Sequence, residues 1–167
     1  ELSYFFSSFD FNLLILLVLC HNMDEKQASS FLGRFPWPKA YRTAIKTTMQ
    51  VKKNLQILRD TEKHPLSDLD RLLRGLPNEI IIYLYLISNK SKQNFIATYL
   101  KKRQECVLTV SGKDLMLLGM KPGPAFKKIL DQVRAAKLDG RIQSRDHELA
   151  YVKELIKKEE IKCHLEV

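Results

Sequence analysis

From Lys39 to Arg59, Tyr41, Ala44, Thr48, Val51, Leu55 and Leu58 recur at alternating steps of three and four residues. Only an α-helix places such a series on one face. Turned by about 100° per residue, Lys39, Arg42, Lys46 and Lys53 gather on the opposite face. A chain built around this segment needs helices to cover the apolar stripe, and helical signals dominate elsewhere too. Asn12 is placed to cap an apolar run from Leu13 to Cys20, and Asp24 to open a second helix through Phe31. Phe35-Pro36-Trp37-Pro38 breaks the chain before the long helix, with Pro38 suited to a first turn. His64-Pro65 ends that helix. Ser67 then caps a short one carrying Asp68 and Asp70 in its first turn, Gly75 closes it, and Pro77 starts a segment buried on most sides. Lys90 to Cys106 forms a further amphipathic helix with Phe95, Ile96, Tyr99 and Leu100 inward.

Val107 to Val110 is the one short β-like stretch and marks a boundary. Beyond it the spacing predicts helices over Lys113–Leu118, Pro124–Leu138 and Asp146–Lys158. Gly119 ends the first, Pro122-Gly123-Pro124 begins the second, Asp139-Gly140 ends the second, and Ser144 caps the third. The expected fold is all-α. It has a helical body of about five helices over residues 1–106 and a small helical tail over residues 107–167. The Leu13–Cys20 run is far short of the roughly 20 apolar residues that span a bilayer. It lacks a basic leader and a small-residue cleavage site, and reads as a buried core helix.

Several functional classes fall away. Cys20, Cys106 and Cys163 are scattered and odd in number, which argues against a disulfide framework and for a reducing, cytoplasmic compartment. Neither Cys20-His21 nor Cys163-His164 has the spacing of a closed metal site. Asp68-Leu69-Asp70 has the spacing of a two-metal carboxylate pair, but two acids opening a helix explain it as well. No phosphate-binding glycine loop, zinc-protease motif or nucleophile elbow is present, so no catalytic or metal-ligating residue is assigned.

Charge points to binding. The chain carries 28 Lys and Arg against 19 Asp and Glu, a net +9 with an isoelectric point near 9.5. Both regions share the excess, 16 against 10 up to residue 106 and 12 against 9 beyond it. An anionic partner is the physical expectation. The Lys39–Arg59 basic face is either a track for phosphates or an ordinary solvated surface. Lys127, Lys128 and Arg134 lie away from Phe126, Ile129, Leu130 and Val133, and Lys121 stands before that helix start, where unpaired amides favour an anion. The alternative is that the Pro-Gly-Pro turn only sets how its helix packs. Pro122 and Pro124 restrict the backbone, while Gly123 is suited to positive φ or a close approach. A helical protein-interaction module with incidental charge is the second functional class.

Gly112, Asp114, Leu115, Leu118, Gly119, Pro122, Gly123, Pro124, Ile129, Leu130, Leu138, Asp139 and Gly140 follow one another in an order that resembles the C-terminal region of bacterial class II tRNA nucleotidyltransferases. These are the CCA-adding and A-adding enzymes of the poly(A) polymerase family. The likeness extends upstream through Leu72–Leu84 and Tyr99–Val110 and covers roughly Leu13 to Lys158. The catalytic head of that family has a Gly-Gly loop, a metal-binding Asp-x-Asp and an Arg-rich motif; none of these motifs is found here, since Asp68-Leu69-Asp70 lies in the body-like region and does not match the head motif. The resemblance therefore implies body and tail domains without the head, and a chain that by itself adds no nucleotide. No cofactor is implied for this chain; Mg²⁺ and CTP or ATP are implied for the head. The implied partner is tRNA, held at its acceptor and T arms and at the elbow. Lys39, Arg42, Lys46, Lys53, Gly112, Lys113, Lys121, Gly123, Lys127, Lys128 and Arg134 are the expected RNA-binding residues.

Overall fold

The computed structural model describes residues 8–57 and 64–165, with side chains over 8–55 and 64–158. Leu58, Arg59 and the side chains of Cys163 and His164 thus lie outside the described residues. Among those described there are nine helices and no strand: α1 (Phe11–Leu19), α2 (Glu25–Arg34), α3 (Lys39–Ile57), α4 (Leu66–Leu73), α5 (Asn78–Leu86), α6 (Lys90–Glu105), α7 (Gly112–Leu117), α8 (Pro124–Leu138) and α9 (Arg145–Leu165). The chain is all-α, as the periodicity requires. It divides into two compact units, Glu1–His64 with Asp68–Leu100 and Pro65–Ser67 with Lys101–Val167.

In the first unit α1 packs on α5 and α3, and α3 also on α2 and α5. The α3 stripe is buried at Ala44, Thr48, Val51 and Leu55, with Ile45 beside it and Tyr41 half-buried. On α5, every residue from Glu79 to Leu84 is buried. Asp24 and Gln27 close a capping box on α2, and Gly75 takes the positive φ of +82° expected after α4.

Three local expectations are corrected. The cap of α1 is Asp10, not Asn12: its carboxylate accepts the amides of Asn12 at 2.9 Å and Leu13 at 3.2 Å. Tyr41 also donates to Asp10, and the Asp10 amide donates to Glu79 Oε1 at 2.5 Å, so distant residues choose the cap. Nor is α1 buried all round. Leu13, Leu14, Leu16 and Leu17 face inward, but Phe11, Ile15, Val18 and Leu19 are exposed. Ser67 lies inside the first turn of α4 rather than capping it. Its amide and hydroxyl donate to Asp139 at 2.9 and 2.8 Å.

The second unit packs α8 on α9 around Val110, Leu115, Ile129, Val133, Val152 and Leu155. Val107–Val110 forms no strand among the described residues. The amides of Thr109 and Val110 donate instead to Glu148 Oε2, each at 2.9 Å. Gly119 and Gly140 close α7 and α8 with φ of +88° and +75°. Ser144 Oγ accepts the His147 amide at 3.3 Å and so caps α9.

Candidate nucleic-acid interface

Helical phase exposes Lys39, Arg42, Lys46 and Lys53 together on α3, opposite its buried stripe. Their heads have modest local ties. Arg42 Nε donates to the Trp37 carbonyl at 3.1 Å, and Lys53 lies 3.8 Å from Glu25 with both side chains in solvent. An exposed pair of this kind is worth little and yields readily to a phosphate. Lys52, which the basic face omits, comes within about 20° of the Tyr41 edge of the stripe at about 100° per residue. Its half-buried side chain donates to the His21 carbonyl at 2.8 Å. That lysine serves the fold.

In the second unit, Lys113, Lys121, Lys127 and Lys128 are all exposed. Lys113 is on α7; the other three surround the start of α8, where Pro124 takes the first helical position and no side chain caps the amides. Phe126 and Leu130 are half-buried and Ile129 and Val133 fully buried, so the lysines face away from the core. Arg134 differs from them, being half-buried with a guanidinium N–H 3.5 Å from the Cys106 carbonyl. Gly112 opens α7, and a Cβ there would meet the Phe126 ring at 3.4 Å. At Gly123, φ is 171° and ψ −173°, an extended backbone open to any residue, and a Cβ would meet nothing within 4 Å. The expectation of positive φ at Gly123 is therefore overturned, and no protein atom approaches its backbone closely. The two prolines alone restrict this turn.

Three acids of the second unit, Glu148, Asp114 and Asp139, are engaged by the fold. Glu148 is fully buried; its Oε2 also accepts the Thr109 hydroxyl at 2.8 Å, and its Oε1 meets Lys137 Nζ at 2.5 Å. Burial pushes this carboxyl up, yet Lys137 and the Thr109 and Val110 donors together hold it below its usual range. Asp114 caps the Ser111 amide at 2.8 Å and accepts Arg145 at 2.6 Å, and Arg145 also donates to the Thr109 carbonyl at 2.6 Å. The Ser111 amide and hydroxyl, with Arg145 behind them, lower the Asp114 carboxyl despite some burial. Sequence reasoning missed Lys137, Arg145 and Glu148, whose partners lie 11 to 39 residues away.

The Asp68/Asp70 carboxylates do not converge on one site. Asp68 meets Arg71 at 3.1 Å and His64 at 3.4 Å, whereas buried Asp70 accepts the Tyr99 hydroxyl at 2.9 Å. The two carboxylates thus serve different neighbours. No group of three or more His, Cys, Asp or Glu fit to hold a metal occurs among the described residues. Burial pushes the Cys20 thiol up, away from the thiolate a nucleophile needs. No helix among the described residues is long and apolar enough to cross a membrane.

Residues 11–152 match the family described as tRNA nucleotidyltransferase domain 2, putative. The A-adding tRNA nucleotidyltransferase of Geobacter sulfurreducens is 32% identical over 84 residues, half of this chain and 10% of that protein. Its counterpart in Halalkalibacterium halodurans is 29% identical over 124 residues, 70% of this chain and 29% of that protein. The chain thus spans less than a third of either relative. Among solved structures, the Thermotoga maritima CCA-adding enzyme complexed with tRNA superimposes with a TM-score of 0.77 at 20% identity, over 93% of this chain and 38% of that one. A CCA-adding enzyme in an apo form gives 0.74 at 20% identity, over 94% and 36%.

Proposed function

Because the chain belongs to the tRNA nucleotidyltransferase family, we propose that it is a tRNA-holding body and tail of such an enzyme. It grips the acceptor and T arms and the elbow while a catalytic head outside these residues, with Mg²⁺ and CTP or ATP, extends the 3′ end. The observation that carries this reading is the exposure of lysine and arginine on α3 and of four lysines on α7 and around the start of α8. A-form RNA offers phosphates and 2′-hydroxyls across a shallow groove, and an enzyme that accepts many tRNAs is best served by backbone contacts. Long cationic side chains and an open helix start supply those contacts without reading bases. The tRNA bound by the Thermotoga relative, which has the same fold, supports the choice of polymer.

The test is the salt dependence of tRNA binding. Lys127→Ala/Lys128→Ala is expected to weaken binding and flatten the slope of log K against log salt by about one to two units, with the melting curve unchanged. Equal affinity and slope would remove α8 from the interface and leave the α3 face. Absence of salt-dependent tRNA binding by the unmodified chain would overturn the reading. A second reading, a protein-interaction module, is favoured by the exposed apolar side of α1, where Phe11 is 63% and Leu19 64% accessible. An acidic protein run beside tRNA separates the two: it should produce no shift if the basic faces are built for RNA.

A further inference from the structure

We propose that Phe31, Phe35 and Trp37, at the junction of α2 and α3, form a stacking platform for an unpaired nucleotide of the bound RNA. The choice of RNA rests on the reading above; the platform itself rests on the local geometry. The three rings form a closed set, with centroids 6.0 Å apart for Phe31–Phe35, 5.8 Å for Phe35–Trp37 and 5.7 Å for Phe31–Trp37. Two of these pairs meet edge to face, the arrangement in which a ring leaves a face open to a further partner. Phe35 is 52% exposed, whereas Phe31 and Trp37 beside it are half-buried.

The connection is stiff. Pro36 and Pro38 restrict it, the Trp37 amide donates to the Phe35 carbonyl at 2.8 Å, and Arg42 holds the Trp37 carbonyl. A platform already ordered loses little freedom on binding. The Trp37 indole N–H is buried and has no acceptor among the described residues, a donor that a base or phosphate oxygen satisfies when the rings shift to admit it.

Charge selects the occupant. From Lys26 to Arg59 the sequence holds eight Lys or Arg and no Asp or Glu, and Arg34, Lys39 and Arg42 are exposed beside the rings. Aromatic faces flanked by exposed cations match a ligand that is both flat and anionic, which is the pattern of single-stranded nucleic-acid sites. Paired bases keep their faces stacked inside the duplex, so the nucleotide must be unpaired.

The chain has one tryptophan, so its fluorescence reports on this cluster. A short unpaired oligoribonucleotide is expected to quench Trp37, and the same nucleotides closed into a duplex are not. Phe35→Leu should weaken the unpaired oligonucleotide by between roughly fivefold and a hundredfold with melting unchanged, and Phe35→Tyr should restore it. Equal quenching by the duplex, no quenching by the oligonucleotide, or indifference to Phe35→Leu would each overturn the platform. If tRNA binds with its Lys127 and Lys128 salt dependence but Trp37 stays silent, the platform fails and the proposed function stands. If the oligonucleotide quenches Trp37 but tRNA binding shows no salt dependence, the platform stands and the proposed function fails.

Discussion

The two units reach a basic surface by different routes. In the first, acids are absent from the segment that matters: no Asp or Glu falls between Lys26 and Arg59, so α3 displays cations by composition. In the second, acids are interspersed with the cations; three of them are taken up by the fold, while Glu105, Asp146 and Glu154 stay exposed. Asp114 caps α7 and holds Arg145, Asp139 accepts the Ser67 amide and hydroxyl, and Glu148 fastens Val107–Val110 through Thr109, Val110 and Lys137. Family-pattern residues such as Asp114 and Asp139 are therefore positioned as structural carboxylates, and the lysines left outside are the ones able to meet a polyanion. Charge count alone does not distinguish these routes; burial does.

The strongest way to break the comparison is to place an acid where the first unit has none. Val51 is 7% exposed on the inner face of α3. Val51→Asp buries a charge with no partner and is expected to cost more than about 4 kcal/mol, enough to unfold that unit. Lys46→Ala, on the outer face, should shift stability by no more than about 0.5 kcal/mol. Chemical denaturation of both variants checks the assignment, and a larger loss for Lys46→Ala would mean the faces are reversed.

Next in size is the removal of an acid the second unit depends on. Glu148→Leu strands Lys137 and three donors in a dry site and should cost about 3–5 kcal/mol. The pH dependence follows from the same contacts. The folded Glu148 and Asp114 carboxyls lie below their ordinary values of 4.5 and 3.8, so their contribution is complete above those values and is lost as pH falls through the lower folded ones. Among the described residues of the first unit, Asp10 is lowered as well, chiefly by the Tyr41 hydroxyl, and it acts at the α1 cap. Acid titration followed by amide signals should therefore soften the second unit more than the first. Glu148→Gln should remove part of that pH dependence.

The same division explains what was legible in the sequence. The α3 stripe, the Asp24 cap, Gly75, Gly119, Gly140 and the exposed lysines follow from periodicity and turn chemistry within a few residues. The choice of Asp10 over Asn12 could not be read that way, because Tyr41 and Glu79 make it from 31 and 69 residues away. Ser67 looked like a cap because its partner, Asp139, lies 72 residues on. Val107–Val110 has strand composition, but a buried carboxylate satisfies its amides, so no strand forms. Of the expected RNA-binding residues, phase placed the lysines outward; it could not show that Arg134 is drawn to the Cys106 carbonyl or that Gly112 packs on Phe126.

The smallest expected effect tests whether every patterned residue of the second unit serves the fold. Gly119 does: at φ +88° a side chain is strained, and Gly119→Ala should cost about 1–2 kcal/mol. Gly123 stands apart, with an extended backbone and open space where a Cβ would sit. Gly123→Ala should leave stability unchanged or raise it by about 0.4–1 kcal/mol, because alanine narrows the unfolded ensemble without clashing in the folded one. It should also leave tRNA affinity and salt slope intact, since the α8 amides and Lys121, Lys127 and Lys128 remain in place. Thermal melts and a salt series on the two variants decide the matter. If Gly123→Ala melts normally yet binds tRNA more weakly, a phosphate approaches the backbone at Gly123, and the open space beside that glycine belongs to the RNA.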